Sequence, residues 1–245
     1  IFGETTDPVI RDIEISVVPN AVERVRSGVL ASIEKSEYEL PSTAKEMSVL
    51  DRLAAVSPRF ASMIAANPQL AASLPDPNDV PAEIDFASCM ANSVSGVAGF
   101  GQRLSAMRQE WSKLLMSIVV RDVFEARTIR EAKRLQTELA EASIAAALRV
   151  VRDELNSRFG TNNDDLRLAI LALGKLGGRG LDYDSDLDLI LVYDDSAVTG
   201  AAVTNSEYYS RAAELFVTVL SSMTRDGNLY RVDLRLRPYG SKGMS

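Results

Sequence analysis

Two aspartates separated by a single residue, Asp186 and Asp188, stand at the start of an apolar segment that predicts a β-strand. Side chains two positions apart on a strand project from the same face, so both carboxylates point one way while Leu187 and Leu189 point into a core. Carboxylates this close repel each other unless a cation lies between them, and a divalent metal ion would keep both ionised. The alternative interpretation is a solvated acidic strand edge.

A third aspartate, Asp233, lies in a segment with strict alternation of apolar and charged residues, 231–237. The alternation places Asp233 on one strand face together with three arginines, Arg231, Arg235 and Arg237. If this strand lies beside the first one in a sheet, Asp233 can join Asp186 and Asp188 around metal ions, and the arginines border an anionic ligand. The alternative is a half-exposed edge strand whose charges discourage aggregation.

A glycine-rich loop, residues 174–180, precedes the paired aspartates. Glycines free the backbone to expose N–H groups and to approach a ligand closely, and phosphate is the usual occupant of such a loop. Lys175 or Arg179 could add charge-assisted contacts to a phosphate. Simple turn formation explains the glycines equally well. The loop does not match a P-loop, because Ala169 stands where the first glycine belongs, nor a dinucleotide fingerprint, because Tyr183 stands where the third belongs.

The composition narrows the possible chemistry. The sequence contains no histidine and one cysteine, Cys89, which excludes a Ser-His-Asp triad, zinc sites built on histidine or on several cysteines, and an internal disulfide. Catalysis must then use carboxylates, lysine, arginine or hydroxyl groups, and hard cations with oxygen ligands are the natural metals.

The same counts bear on partners and location. Lys and Arg number 27 against 34 Asp and Glu, so the formal net charge is -7 and bulk nucleic-acid binding is disfavoured. We find no apolar run of membrane-spanning length and no signal segment, so no membrane partner is expected. With a single cysteine, this predicts a cytoplasmic protein.

The periodicity divides the chain into a helical part and a part with strands. Apolar residues recur every three or four positions from Leu104 to Ile118 and again over 134–159, where Gly160 ends the helix; we interpret these stripes as packing surfaces. Strands are predicted at 166–173, 187–193 and 229–236, with a helix at 206–224. We therefore predict an α+β fold: a helical region over 1–160, followed by a β-β-α-β unit over 161–245.

Local signals in the first part predict further boundaries. Pro58 suits the first position of a helix, and Ser42 or Thr43 could cap an earlier one. The proline-rich segment 74–81 predicts a loop.

Three carboxylates, a glycine-rich loop and flanking arginines suit two-metal nucleotidyl transfer. Two Mg²⁺ ions about 3.5–4 Å apart can activate an attacking hydroxyl and stabilise the departing pyrophosphate of a nucleoside triphosphate. In this scheme Asp186 and Asp188 bridge both ions. Asp233 binds only the ion that holds the nucleophile, and is the best candidate to help remove its proton.

These motifs resemble a known family. The sequences GKLGG at 174–178 and SDLDL at 185–189 look like the signature of the DNA polymerase β nucleotidyltransferase superfamily, and YRVDLRLRPYG at 230–240 narrows the resemblance to the glutamine-synthetase adenylyltransferase/adenylyl-removing family. A fainter resemblance runs through 57–68 and 108–122. The pair of motifs stands in the right order at a plausible separation, so the β-β-α-β unit over 161–245 is expected to have the polymerase β-type nucleotidyltransferase fold.

The resemblance implies an enzyme that uses ATP and Mg²⁺ to attach AMP to a tyrosine hydroxyl of glutamine synthetase, or to remove it by phosphorolysis, under control of a PII signalling protein and glutamine. The match assigns metal binding to Asp186, Asp188 and Asp233. It places the nucleotide loop at Gly177 and Gly178, and the further nucleotide contacts that we expect are Lys175, Ser185 and Arg235.

Family members usually carry two catalytic units in a longer chain, so we expect a C-terminally truncated fragment with one unit. Residues 183–188 favour the adenylylating unit and 231–233 the removing unit; we favour adenylylation narrowly. The alternatives are a superfamily nucleotidyltransferase with a different acceptor, and a catalytically incomplete regulatory module.

Overall fold

The computed structural model describes residues 19–36, 44–74, 83–125, 128–162, 166–196 and 200–234. The chain divides into two compact units, Ile1–Pro68 and Gln69–Ser245. In the described parts of both, no helix has the length and apolar character needed to cross a membrane.

The described residues of the first unit contain three helices that contact one another: α1 (Pro19–Glu34), α2 (Ala44–Val56) and α3 (Pro58–Ala66). Pro58 begins α3 as predicted, since its missing N–H is not needed at the first helical position. The core of this unit is formed by almost fully buried aliphatic side chains: Val29, Ile33, Leu50, Leu53 and Ile64. The predicted cap at Ser42 or Thr43 and most of the predicted loop at 74–81 lie outside the described residues.

The second unit combines helices with a small sheet, which confirms the predicted α+β class. A 3₁₀ helix, Pro68–Ser73, spans the boundary in sequence. The remaining elements, in chain order, are α4 (Phe86–Val94), α5 (Phe100–Glu125), α6 (Ile129–Phe159), β1 (Leu168–Ala172), α7 (Gly174–Gly177), β2 (Leu187–Tyr193), α8 (Asn205–Ser221) and β3 (Val232–Asp233). The sheet order is β1-β2-β3, with β1 antiparallel and β3 parallel to β2.

Helix α6 is the central helix of this unit and packs against α4, α5 and α8. Gly160 ends it with a left-handed φ of 63°, as predicted. Its first turn is closed by a capping box between Thr128 and Glu131, so the helix begins at Ile129 rather than at 134. Helices α4, α5 and α6 belong to the same compact unit as the sheet, so no boundary between the two units lies at the end of α6. The division into domains at Gly160 stays a prediction.

The third strand is shorter than the predicted segment 229–236. The N–H groups of Leu229 and Tyr230 both donate to the carbonyl of Leu220, at 3.1 and 3.0 Å, instead of joining the sheet. Pairing with β2 therefore begins at Val232, and residues from 235 onward lie outside the described part. Helix α8 likewise ends at Ser221 rather than near 224, since Thr224 and Gly227 pair with each other in a tight turn.

A fully buried arginine of α5 fixes this turn and the end of α8. Arg108 donates to the carbonyls of Val219, Ser222 and Gly227 at 3.2, 2.8 and 2.9 Å, and to that of Leu104 in its own helix at 3.0 Å. A guanidinium offers five N–H donors in a rigid fork, so one side chain can satisfy several carbonyls that would otherwise be orphaned at a helix C-terminus. Arg108 thereby sets where the chain enters β3.

Replacing Arg108 by methionine should destabilise the second unit by about 2–4 kcal/mol, because buried carbonyl groups lose their donors. Thermal or urea unfolding of the variant measures this loss. Arg134→Met is the matched control: Arg134 forms an exposed ion pair with Glu138 one turn away in α6, a type of contact worth about 0.5 kcal/mol or less. Equal effects of the two substitutions would show that Arg108 has no anchoring role.

Candidate active site

Two of the three predicted acids stand side by side on parallel strands. Asp188 of β2 and Asp233 of β3 are direct register partners, as are Leu187 and Val232. The N–H of Leu187 donates to the carbonyl of Arg231 at 2.9 Å, at the start of the pairing. Register partners project from the same face of a sheet, so both carboxylates lie on one face while the fully buried Leu187 lies on the other.

The third acid, Asp186, precedes β2 and is bound to an arginine. Arg231 donates from Nε to Oδ1 of Asp186 at 2.5 Å, and from Nη2 to the carbonyl of Asp184 at 3.2 Å. Both side chains of the ion pair are exposed, 71% for Arg231 and 48% for Asp186. In the described residues no three acidic or cysteine side chains stand close enough together to hold a metal ion. The structure therefore pairs Asp188 with Asp233 but does not gather all three acids.

Two glycines of the loop allow close approach of the backbone to its neighbours. Gly174 has a left-handed φ of 55°, and a Cβ there would overlap Oδ2 of Asp188. A Cβ on Gly177 would overlap the carbonyl oxygen of Ala172 at the end of β1. The N–H of Leu173 also donates to the carbonyl of Asp188 at 2.9 Å. The loop is thus in close contact with β2, the strand that carries Asp188.

The N–H groups of residues 177–180 have backbone acceptors within the loop or directly before it. Their acceptors are the carbonyls of Leu173, Gly174, Leu176 and Lys175, in that order, at 2.8–3.0 Å. The expectation that these glycines expose free N–H groups is therefore wrong for this conformation, because the short helix α7 and its following turn use them. A nucleotide contact by Gly177 or Gly178 stays a prediction.

Two predicted nucleotide contacts, Lys175 and Ser185, contact each other and the same residue, Asp182. Lys175 lies 2.9 Å from Oδ2 of Asp182 and donates to Oγ of Ser185 at 3.4 Å. The N–H of Asp182 also donates to Oγ of Ser185, at 3.3 Å. Hydrogen bonds from Lys175 and then from Lys133 lower the pKa of Asp182 below its ordinary value. Arg235 and Arg237 lie outside the described residues, so their predicted contacts are not placed.

Helix α6 holds the loop through residues that sequence reasoning missed. Three polar side chains of α6 are spaced four residues apart and therefore lie on one face of the helix. Lys133 lies 2.9 Å from Asp182, and Thr137 accepts the N–H of Leu181 at 3.2 Å. Glu141 forms an ion pair with Arg179 at 3.1 Å, so the row contacts the loop and the residues directly after it. The acceptor for the Leu181 N–H is the fully buried Thr137 hydroxyl. The four-residue spacing of these polar residues is visible in the sequence, but it is equally typical of a solvated helix face.

The loop is also tied to α5. The hydroxyl of Tyr183 donates to Oδ2 of Asp122 at 3.1 Å. Burial raises the pKa of Tyr183 well above its usual range, and the charge of Asp122 raises it further, so this phenol stays protonated and donating at neutral pH. The segment that carries Ser185 and Asp186 is therefore held by two helices.

The comparisons with known proteins decide the family. The model of the glutamate-ammonia ligase adenylyltransferase family matches residues 47–245. The chain belongs to this family. The match includes every acid, glycine and lysine of the candidate site, and it confirms the resemblance drawn from the two motifs.

Curated relatives of this adenylyltransferase-family chain carry the name bifunctional glutamine synthetase adenylyltransferase/adenylyl-removing enzyme. The relative from Aromatoleum aromaticum is 30% identical over 233 residues, which cover 91% of this chain and 24% of the relative. That from Agrobacterium fabrum is 36% identical over 80% of this chain and 21% of the relative. That from Burkholderia mallei is 36% identical over 56% of this chain and 16% of the relative. The chain thus spans a quarter or less of the length of these relatives.

Replacing Gly174 by alanine should displace Asp188, because the new Cβ would occupy the position of its Oδ2 and the left-handed φ disfavours alanine. We expect a loss of stability of about 2 kcal/mol or more. Thermal unfolding and the amide exchange rate of Leu173 would report it. Gly101→Ala in α5 is the matched control, since its Cβ would enter open space; an equally large loss there would remove the special role of Gly174.

The lysine contacts to Asp182 predict a pH dependence. Because the folded-state pKa of Asp182 is lowered, its stabilising effect is fully present above the ordinary carboxyl range and is lost as the pH falls through the folded-state pKa. The midpoint of thermal unfolding of Asp182→Asn should therefore lie below that of the unsubstituted chain at neutral pH, and the two should converge in strong acid. A difference independent of pH would contradict the two ion pairs.

Proposed function

We propose that this chain is a catalytic unit that transfers AMP from ATP to a tyrosine hydroxyl of glutamine synthetase in a Mg²⁺-dependent reaction. The observation that carries the proposal is the register pairing of Asp188 with Asp233, inside the region matched by the family model. The names of the relatives support glutamine synthetase as the acceptor protein. Control of nitrogen assimilation in the cytoplasm, by a PII protein and glutamine, completes the proposal.

The side chains at the site fit hard divalent cations. Asp188, Asp233 and Asp186 offer only carboxylate oxygens, which are the ligands that Mg²⁺ prefers. The Asp186 carboxylate already faces a positive charge, the guanidinium of Arg231, and it would exchange this partner to bind metal beside the other two acids. When bound, two Mg²⁺ ions would supply charge neutralisation for the departing pyrophosphate.

The residues of the chain have separate proposed tasks around the metal ions. Asp233 is the candidate to accept the proton of the attacking tyrosine hydroxyl. Lys175 and Ser185, which lie together beside Asp182, are candidates to contact the phosphates of ATP. Gly177, Gly178 and Arg235 are proposed as further nucleotide contacts.

The reverse task, removal of AMP by phosphorolysis, is the second candidate. Its support is that the names of the relatives join both activities. Incubation of the chain with adenylylated glutamine synthetase and inorganic phosphate, followed by mass spectrometry for ADP release, distinguishes removal from addition. Incubation with unmodified glutamine synthetase and each of ATP, CTP, GTP and UTP tests the nucleotide choice.

Asp188→Asn and Asp186→Asn should each reduce AMP transfer by at least about a hundredfold, because a metal ligand is lost. Without metal, thermal stability should stay near that of the unsubstituted chain, since neither side chain belongs to the apolar core. Transfer is measured as incorporation of labelled AMP into glutamine synthetase, and metal binding by titration calorimetry with Mn²⁺.

Asp195→Asn, in the turn after β2, is the control and should leave transfer unchanged. Full turnover in the Asp186/Asp188 double variant would refute the site. Tight binding of glutamine synthetase without Mg²⁺-dependent ATP binding would favour a catalytically incomplete regulatory module. Labelling of some other acceptor would favour a different nucleotidyltransferase.

A further inference from the structure

One carboxylate is shared by two lysines from different elements. Lys133 of α6 lies 2.9 Å from Oδ1 of Asp182, and Lys175 of α7 lies 2.9 Å from Oδ2 of the same group. Two ammonium groups and one carboxylate leave a net charge of +1 on this cluster, which we call the Asp182 cluster. Without Lys133, the Asp182 carboxylate would fully neutralise the charge of Lys175.

The two lysines differ in their access to solvent. The side chain of Lys175 is 59% exposed, that of Asp182 is 38% exposed and that of Lys133 is 35% exposed. Lys175 also reaches Oγ of Ser185, one residue before Asp186. Lys175 is therefore the cation that a ligand in front of the acidic strand can reach, whereas Lys133 lies on the supporting helix.

The position of Lys133 relative to the loop is set by backbone contacts. One helical turn further along α6, the buried hydroxyl of Thr137 accepts the N–H of Leu181, the residue next to Asp182. On the other side of Asp182, its carbonyl accepts the N–H of Ser185 at 3.2 Å, and its own N–H donates to Oγ of Ser185. The carboxylate is thus held by the backbone on both sides, and Lys133 determines which of its oxygens remains for Lys175.

We propose that Lys133 is a positioning residue of a polyphosphate-binding site whose contact residue is Lys175. Lys133 occupies one oxygen of Asp182 and adds a compensating charge, so that Lys175 stays held in place with its charge only partly neutralised. A triphosphate then meets a surplus of positive charge beside Ser185. The identity of this triphosphate as ATP rests on the proposed function, whereas the binding of the phosphate chain itself does not.

Lys133→Met should weaken binding of inorganic triphosphate and of Mg·ATP about two- to fivefold, the range expected when one exposed ion-pair partner is removed. Titration calorimetry on the full chain measures both ligands. In the transfer assay the loss should appear in KM for ATP rather than in kcat, since the contact is made equally in the ground and transition states. Lys133→Arg should restore the affinity.

Lys113→Met is the matched control, because Lys113 forms a helix-surface ion pair with Glu110 in α5; its affinity for triphosphate should be unchanged. In the Lys175→Met background, Lys133→Met should have little further effect on triphosphate affinity, because it acts through Asp182 on Lys175. Additive losses would overturn the proposal by showing direct contact of Lys133 with the ligand.

Two other results would also overturn it. One is unchanged triphosphate affinity in Lys133→Met; the other is a loss of kcat together with a lowered unfolding temperature that Lys133→Arg does not correct. Failure of the proposed function gives a different pattern: no AMP transfer to glutamine synthetase by the unsubstituted chain, with triphosphate binding that remains sensitive to Lys133.

Discussion

The parallel pairing of β3 with β2 is the constraint on which the candidate site depends, because it alone brings Asp233 beside Asp188. A two-residue strand contributes little stability of its own. Its place is set from outside the sheet: the N–H groups of Leu229 and Tyr230 attach the approaching chain to the end of α8, and Arg108 attaches that end to α5. The helices thus determine the register of the two carboxylates on the sheet.

The loop before β2 is likewise held in place by helices outside the sheet. Its ion pairs, such as that of Arg179 with Glu141, are exposed, and contacts of that kind are individually weak. The buried hydrogen bond from Leu181 to Thr137 and the Tyr183–Asp122 contact are better shielded from water. Several anchors from α5 and α6, together with the internal hydrogen bonds of residues 174–180, hold a glycine-rich segment whose backbone would otherwise be costly to order.

Electrostatics divides the site into two parts of opposite sign. Asp188 and Asp233 form the acidic part on the sheet, whereas Lys175 and Lys133 surround Asp182 on the loop side. Arg231 forms an ion pair with Asp186, the acid that precedes β2. The proposed chemistry on a nucleoside triphosphate needs carboxylates for a metal ion and cations for phosphate, and Ser185, which Lys175 contacts, stands one residue before Asp186.

The sequence by itself determined the class of fold, the order of the three strands and α8, both ends of β2, the C-terminal end of α6, and the family, because periodicity, caps and short motifs are local properties. It also identified Asp188 and Asp233 as candidate metal ligands. Only the tertiary structure decided that Asp186 pairs with Arg231, that the N–H groups of 177–180 are used internally, and that Lys133 and Thr137 belong to the loop. These contacts join residues far apart in the chain or depend on one backbone conformation among several, and spacing along the sequence carries no information about either.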